Sequence, residues 1–258
     1  MSAEPLRIAM WSGPRNISTA MMRSFENRDD TAVIDEPFYA AYLALTGADH
    51  PMREAVLQSQ PQDWRDVEAM LLRPCSAPIF YQKHMTHHML PGIGTRWMAR
   101  CRNVFLIRRP DEVVASYMDK RGEASLTDIG IVRQAELFDQ EAHRLGRAPI
   151  VIDSSDVSAD PEIMLAALCD AIGIAFSAKM LSWPKGRRAS DGVWAPAWYD
   201  QVERSTGFAR RAAAAPPVLS PALAAVADAA YPHYERLAGW KIARTTVRHE
   251  VGGQAGPR

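Results

Sequence analysis

The Gly-Lys-Ser/Thr ending of an ATP-binding loop is missing from this chain of 258 residues, and no acidic Mg2+ ligand follows a later strand. A P-loop nucleotide kinase needs both, so that class falls behind. Cysteine is scarce: Cys75, Cys101 and Cys169 are odd in number and form neither a CxxC pair nor a Cys/His zinc spacing. A disulfide framework and a structural metal are therefore not expected, and free thiols in a reducing, cytoplasmic compartment are. Neither sign of charge is in excess, with 30 Lys+Arg against 30 Asp+Glu, so no global field draws in nucleic acid or an acidic membrane surface. Any anion must be held by a local site. No apolar run reaches the roughly 18 residues of a membrane span, and the opening MSAEPLR carries Glu4 and Arg7 before a short apolar run.

What is present is 47% hydrophobic residues, enough for one large core. Short apolar runs at 6–12, 31–35, 78–83, 103–108 and 148–154 read as strands. Between them lie segments of helical period at 18–28, 63–72, 111–120 and 127–146, and a helix opens at Asp160-Pro161. Nearly continuous apolar strands separated by helices predict an α/β fold, a central parallel sheet with helices on both faces. A further helix at 220–238 closes a single domain over 1–245, and 246–258 reads as a flexible tail.

In such a sheet the first strand-to-helix turn aims backbone N–H groups and a helix dipole outward. Here that turn is Ser12-Gly13-Pro14-Arg15-Asn16-Ile17-Ser18-Thr19: glycine for a tight turn, arginine for fixed charge, hydroxyls for donors. The group suits a phosphate or sulfate; the plainer reading is an N-cap. A second segment, NVFLIRRPDEVVASY, puts Arg108 at a strand end and Ser116 eight residues on, around a helix start at Pro110. Both are expected to converge on one anion near the first turn.

These motifs resemble the PAPS-dependent sulfotransferases, which use 3′-phosphoadenosine 5′-phosphosulfate. The family's Pro-Lys-Ser-Gly-Thr-Thr turn is similar to Pro14-Arg15-Asn16-Ile17-Ser18-Thr19, and its Arg-x-Pro…Ser element for the 3′-phosphate is similar to Arg108 through Ser116. PIVIDSSDVSADPEIMLAALCDAIGI resembles the strand and helix that follow. WPKGRRASDGVW resembles the late lid, in which Lys185, Gly186 and Arg187 clamp the 3′-phosphate. The resemblance runs over about residues 6 to 210 in the expected order. It departs at Arg15, where cytosolic members carry lysine, and at Ile17, where they carry glycine; arginine keeps the charge but donates no proton.

The resemblance implies a P-loop-like three-layer fold, PAPS as cosubstrate without a metal, and sulfuryl transfer to a hydroxyl or amine of a small acceptor. Arg15 with the backbone of 16–19 would stabilise the leaving nucleotide. For the base, Glu36 after the second strand is favoured, and His84 in YQKHMTHH is the alternative, with His87 or His88 as substitutes. Lys83 would add charge at the reacting sulfate. Against these stand plainer readings: a solvated Asp35-Glu36-Pro37 turn, ion pairs of Arg108 and Arg109 with Asp111 and Glu112, and Trp183, Trp194 and Trp198 as lid packing. The histidine group lacks a Cys partner or HExxH pattern for zinc. A noncatalytic nucleotide-binding module keeps the Arg108/Ser116 clamp without needing Glu36. Phe38, Tyr39, Tyr42, Leu43 and Trp64 suggest a partly apolar acceptor rather than a charged polysaccharide.

Overall fold

The computed structural model describes residues 4–121, 124–209 and 216–243. Five strands, β1 (Leu6–Ser12), β2 (Thr31–Asp35), β3 (Ile79–Met85), β4 (Arg102–Ile107) and β5 (Ile150–Asp153), form one sheet in the order β2-β3-β1-β4-β5, every pair parallel. The helices follow in chain order as α1 (Ser18–Glu26), α2 (Tyr39–Thr46), α3 (Arg53–Ser59), α4 (Trp64–Leu71), α5 (Pro110–Arg121), α6 (Leu126–Ile129) and α7 (Ile131–Leu145). After β5 come α8 (Ser154–Ala159), α9 (Pro161–Ile172), the short α10 (Ala195–Trp198) and α11 (Asp200–Arg204), and α12 (Pro221–Ala238).

Alternation along each strand sends neighbouring residues to opposite faces, and β1 is apolar on both. Ile8 and Met10 join Met21 and Phe25 of α1 and Leu165 and Leu168 of α9 in one core. Ala9 and Trp11 join Val67 and Leu71 of α4, Leu137 and Phe138 of α7 and Leu237 of α12 in the other. This is the three-layer arrangement that continuous apolar strands require. Cys101 and Cys169 are buried as free thiols, and burial raises them to about 12 and about 11 respectively, which makes them poor nucleophiles.

Two elements differ from the sequence expectation. The helix expected over 127–146 is broken at Gly130, whose φ of 67° ends α6 and starts α7; a Cβ there would stand 2.7 Å from Thr86 Oγ1. Residues 38–59, for which no helix was expected, form α2 and α3. The helix at Asp160-Pro161 is as the sequence indicates: the Asp160 carboxylate accepts from Ile163 N, and Gly173 ends the helix with φ 90°.

β1 and β4 lie side by side, yet the chain leaves β1 for the β2 edge and leaves β4 for the β5 edge. Such a reversal opens a crevice at the carboxyl ends of the strands. At the β5 edge, residues after α12 return to the sheet: Lys241 bridges to Val151, and Ile242 N donates to Val151 O at 2.9 Å. The tail expected at 246–258 lies outside the described residues. Among those described, no helix is long and apolar enough to cross a membrane.

Candidate active site

A cavity of about 270 Å3 opens at the crevice. One end is walled by the β1–α1 turn from Pro14 to Ala20 with Arg108 and Ser116, the other by Glu36, Lys83, Tyr39, His50, His87 and His88. The stretch around α10 and α11 supplies the third wall through Trp198, Tyr199, Gln201 and Val202.

The turn is shaped by its own backbone rather than by a side-chain cap. Arg15 and Ile17 adopt φ of 57° and 42°, and Ile17 is the N-cap of α1, so no side chain caps that helix. Its first N–H groups and dipole are left to the cavity. Arg15 Nε donates to Ser116 Oγ at 2.9 Å, and Arg108 Nη1 donates to Arg15 O at 2.6 Å. Arg15, Arg108 and Ser116 thus meet, as their spacing implies. The ion pairs of the plainer reading also form, Arg108 Nε to Glu112 at 2.9 Å and Arg109 to Asp111 at 2.7 Å. Asn16 is buried, donating to Leu106 O at 2.7 Å while its Oδ1 has no partner. Gly13 touches packing rather than the cavity: a Cβ would lie 2.2 Å from Ile129 O.

At the opposite end, Lys83 is 1% exposed. Its ammonium donates to Asp35 Oδ1 at 2.8 Å, Glu36 Oε1 at 2.5 Å and Tyr199 OH at 2.7 Å. Burial opposes its charge, but the charges of Asp35 and Glu36 prevail and hold it well above the ordinary lysine value. Burial pushes Glu36 above the usual carboxylate range, against the pull of Lys83. Glu36 also has φ 39°, and Gln60 Nε2 steadies its carbonyl at 3.1 Å. Among the described residues, three of the four non-glycine positive-φ positions, Arg15, Ile17 and Glu36, line this cavity, as strain stored at a working site would.

His87 and His88 form the wall beyond, His88 stacked on Tyr39 and Tyr42 at 4.6 and 4.9 Å. Burial lowers His87 to about 3 and His88 well below the ordinary value, so both imidazoles are neutral. Each has an unpartnered buried Nδ1. Among the described residues no three His, Cys, Asp or Glu are grouped as metal ligands.

Two expectations and one plainer reading need correction. His84 does not reach the cavity: β3 runs on to Met85, so His84 points opposite to Lys83, stacks on Trp11 at 4.4 Å and meets Gln82 Oε1 at 3.2 Å. Burial lowers it to about 3. Lys185 and Arg187 are exposed and turned from the cavity, because Gly186 N donates to Glu203 O and Arg187 pairs with Glu203 at 3.1 Å. Asp35 and Glu36 are a buried pair rather than a solvated turn. Trp183 and Trp194 are buried as lid packing, and Trp198 lines the cavity. Sequence reasoning did not find Tyr199; a tyrosine in a Trp/Pro-rich stretch has no periodic signal to reveal it.

A family model described as a sulfotransferase domain matches residues 6–240, and the chain belongs to that family. A sulfotransferase from Alicyclobacillus acidocaldarius shares the fold with a TM-score of 0.59 at 13% identity, over 93% of this chain and 98% of that one. The sulfotransferase domain of the curacin biosynthetic pathway does so with a TM-score of 0.56 at 18% identity, over 88% and 98%. Among curated proteins, branched-chain-amino-acid aminotransferase-like protein 1 of Arabidopsis thaliana is 38% identical over 207 residues, which is 80% of this chain and 37% of that protein. Protein 2 of the same name is 35% identical over 202 residues. The chain therefore spans little more than a third of the length of these relatives.

Proposed function

We propose that this protein, acting as one domain over residues 1–245, transfers a sulfuryl group from PAPS to a hydroxyl or amine of a small acceptor. The observation that carries the reading is one cavity joining an uncapped helix start with Arg15 to a buried carboxylate–lysine group. The residues fit the donor's chemistry. Arg15 and the N–H groups at the start of α1 hold a phosphosulfate and meet the charge that develops on the leaving phosphate oxygen. Arg108 and Ser116 stand where a second phosphate needs a cation and a hydroxyl. Lys83 screens the charge at the reacting centre. Glu36, held above the usual carboxylate range by burial, takes the acceptor's proton as the new S–O or S–N bond forms and the S–O bond to phosphate breaks.

The acceptor end has its own charge balance. Lys83 is matched by two carboxylates, and the neighbouring imidazoles are neutral. Among the described residues, neither Lys83 nor His87 or His88 is left as a free cation for an anionic acceptor, which favours an uncharged, partly apolar one.

The test is calorimetric titration with 3′-phosphoadenosine 5′-phosphate, ATP and adenosine 5′-phosphosulfate, repeated on Arg108→Ala, followed by a radiolabelled sulfate-transfer screen with Glu36→Gln as control. Binding that needs the 3′-phosphate and collapses in Arg108→Ala is expected, with transfer lost in Glu36→Gln. Equal binding of ATP, or sulfation of anionic sugars alone, would overturn the donor or the acceptor assignment respectively.

A further inference from the structure

Asp35 and Glu36 are consecutive, both are buried, and both are bonded to Lys83, yet their other partners differ. Asp35 Oδ2 accepts from Tyr199 OH at 2.6 Å and from Gly192 N at 3.1 Å, in addition to the bond from Lys83 on Oδ1. Glu36 accepts from Lys83 on Oε1 and lies 3.5 Å from Tyr199 OH. A phenol has one proton and two lone pairs. The proton of Tyr199 goes to the shorter bond, on Asp35, while its oxygen accepts from Lys83 at 2.7 Å and from Trp194 Nε1 at 3.1 Å. The three protons of Lys83 are likewise all placed, on Asp35, Glu36 and Tyr199. Asp35 thus accepts from three donors, whereas Glu36 accepts from Lys83 with Tyr199 at the limit of bonding distance.

We infer that Tyr199 is a positioning residue for the proton transfer: its hydroxyl occupies Asp35 and the third proton of Lys83, so that Glu36 alone of the two carboxylates remains to take up a proton. The inference rests on the sulfotransferase reading for the role of Glu36. Tyr199 is fixed in place from outside the cavity. Trp194 packs edge-on to Tyr39 at 5.1 Å, and buried Arg23 holds Asp191, three residues before Trp194, at 2.6 Å. Among the described residues, the charged and titratable groups facing Glu36 are Asp35 of β2, Lys83 of β3 and Tyr199, with Tyr39, His50 and the neutral His87 and His88 further along the wall; Tyr81 lies behind Lys83 and Asp35. Tyr199 is the one in this set that bonds to Asp35 and Lys83 without carrying charge.

The test is Tyr199→Phe in the full chain, with 13C-carboxyl-labelled aspartate and glutamate followed by NMR as a function of pH. Signals are assigned by their loss in Asp35→Asn and Glu36→Gln. In the unaltered protein the Glu36 carboxyl is the signal expected to move with pH. In Tyr199→Phe, Asp35 is expected to titrate over the same range while the Glu36 amplitude falls, with affinity for 3′-phosphoadenosine 5′-phosphate unchanged to within about threefold. With an acceptor in hand, kcat falls roughly ten- to a hundredfold at nearly constant donor KM. Unchanged curves for both carboxylates overturn the inference. If Tyr199→Phe does not fold, Trp194→Phe removes one donor from the same hydroxyl and must move Asp35 in the same direction by less; no movement there overturns it equally. Failure of the unaltered protein to bind the nucleotide overturns the sulfotransferase reading instead, and leaves the carboxylate titrations to be judged separately.

Discussion

Lys83 has three acceptors around its ammonium, and removing it differs sharply from removing one of them. Lys83→Met leaves Asp35 and Glu36 adjacent and unpaired in the interior, which costs about 3–5 kcal/mol and is measured by denaturant unfolding. Glu36→Gln keeps the pair of Lys83 with Asp35 and removes the surplus negative charge. Its kcat should fall by about a hundredfold to ten-thousandfold while the fold holds. The sign of the pH effect follows from burial. The folded state binds the Glu36 proton more tightly than the unfolded chain does, so the ionised group is a penalty that grows as pH rises above the ordinary carboxylate value. Glu36→Gln should therefore be more stable than the parent at pH 8, with no such difference at pH 4; thermal melts at the two pH values decide it. At this scale Arg15, Glu36, Lys83, Arg108 and Ser116 could be placed beside one cavity because they lie near strand ends or in the first two turns of the helix that follows, and all five line it. His84 was misread because consecutive strand residues face opposite ways, so Lys83 and His84 cannot both reach one cavity. Tyr199 was illegible because its position depends on how a loop folds back across the sheet.

Among the elements, all five strands were readable from apolar runs, since a sheet covered on both faces buries most of each strand; the polar end of β3, Gln82 to His84, is the exception and leads into the site. The helical breaks were not. Gly130 lies inside a helical pattern and ends it only because α6 must pass against Thr86, a contact 44 residues away in sequence. Gly13 is similar. It was read as permitting a tight turn at an anion site, whereas the space a side chain would need belongs to Ile129 O. Gly13→Ala is expected to destabilise by about 1–3 kcal/mol through overpacking, seen as a lower denaturation midpoint at unchanged slope. A midpoint equal to that of the parent would mean that the turn and α6 give way freely. The lid stretch failed in the same manner: its basic residues read as anion ligands, but Glu203 holds Arg187 and the backbone at Gly186 on the outer side.

For the molecule as a whole, three histidines kept neutral by burial set the response to acid. His84 and His87 lie near 3 and His88 well below its ordinary value. The unfolded chain binds protons at these groups from about pH 6.5 downward, and the folded chain does not until far lower. Stability is therefore fully present above about 6.5 and lost as pH falls, each histidine contributing a slope of up to about 1.4 kcal/mol per pH unit. Urea unfolding between pH 7 and 5 should show this decline, and His84→Phe, which retains a ring against Trp11, should make it shallower.

The return of Lys241 and Ile242 to Val151 has a further consequence for how molecules meet one another. That short pairing occupies backbone groups of an outermost strand that would otherwise offer a template to any extended peptide. A chain cut after Gly239 keeps the cavity lining but loses Ile242 from the edge of one core and bares this rim, so two copies can join strand to strand. Light scattering of the shortened chain should reveal concentration-dependent self-association that the longer one resists, with the cavity end of each molecule untouched.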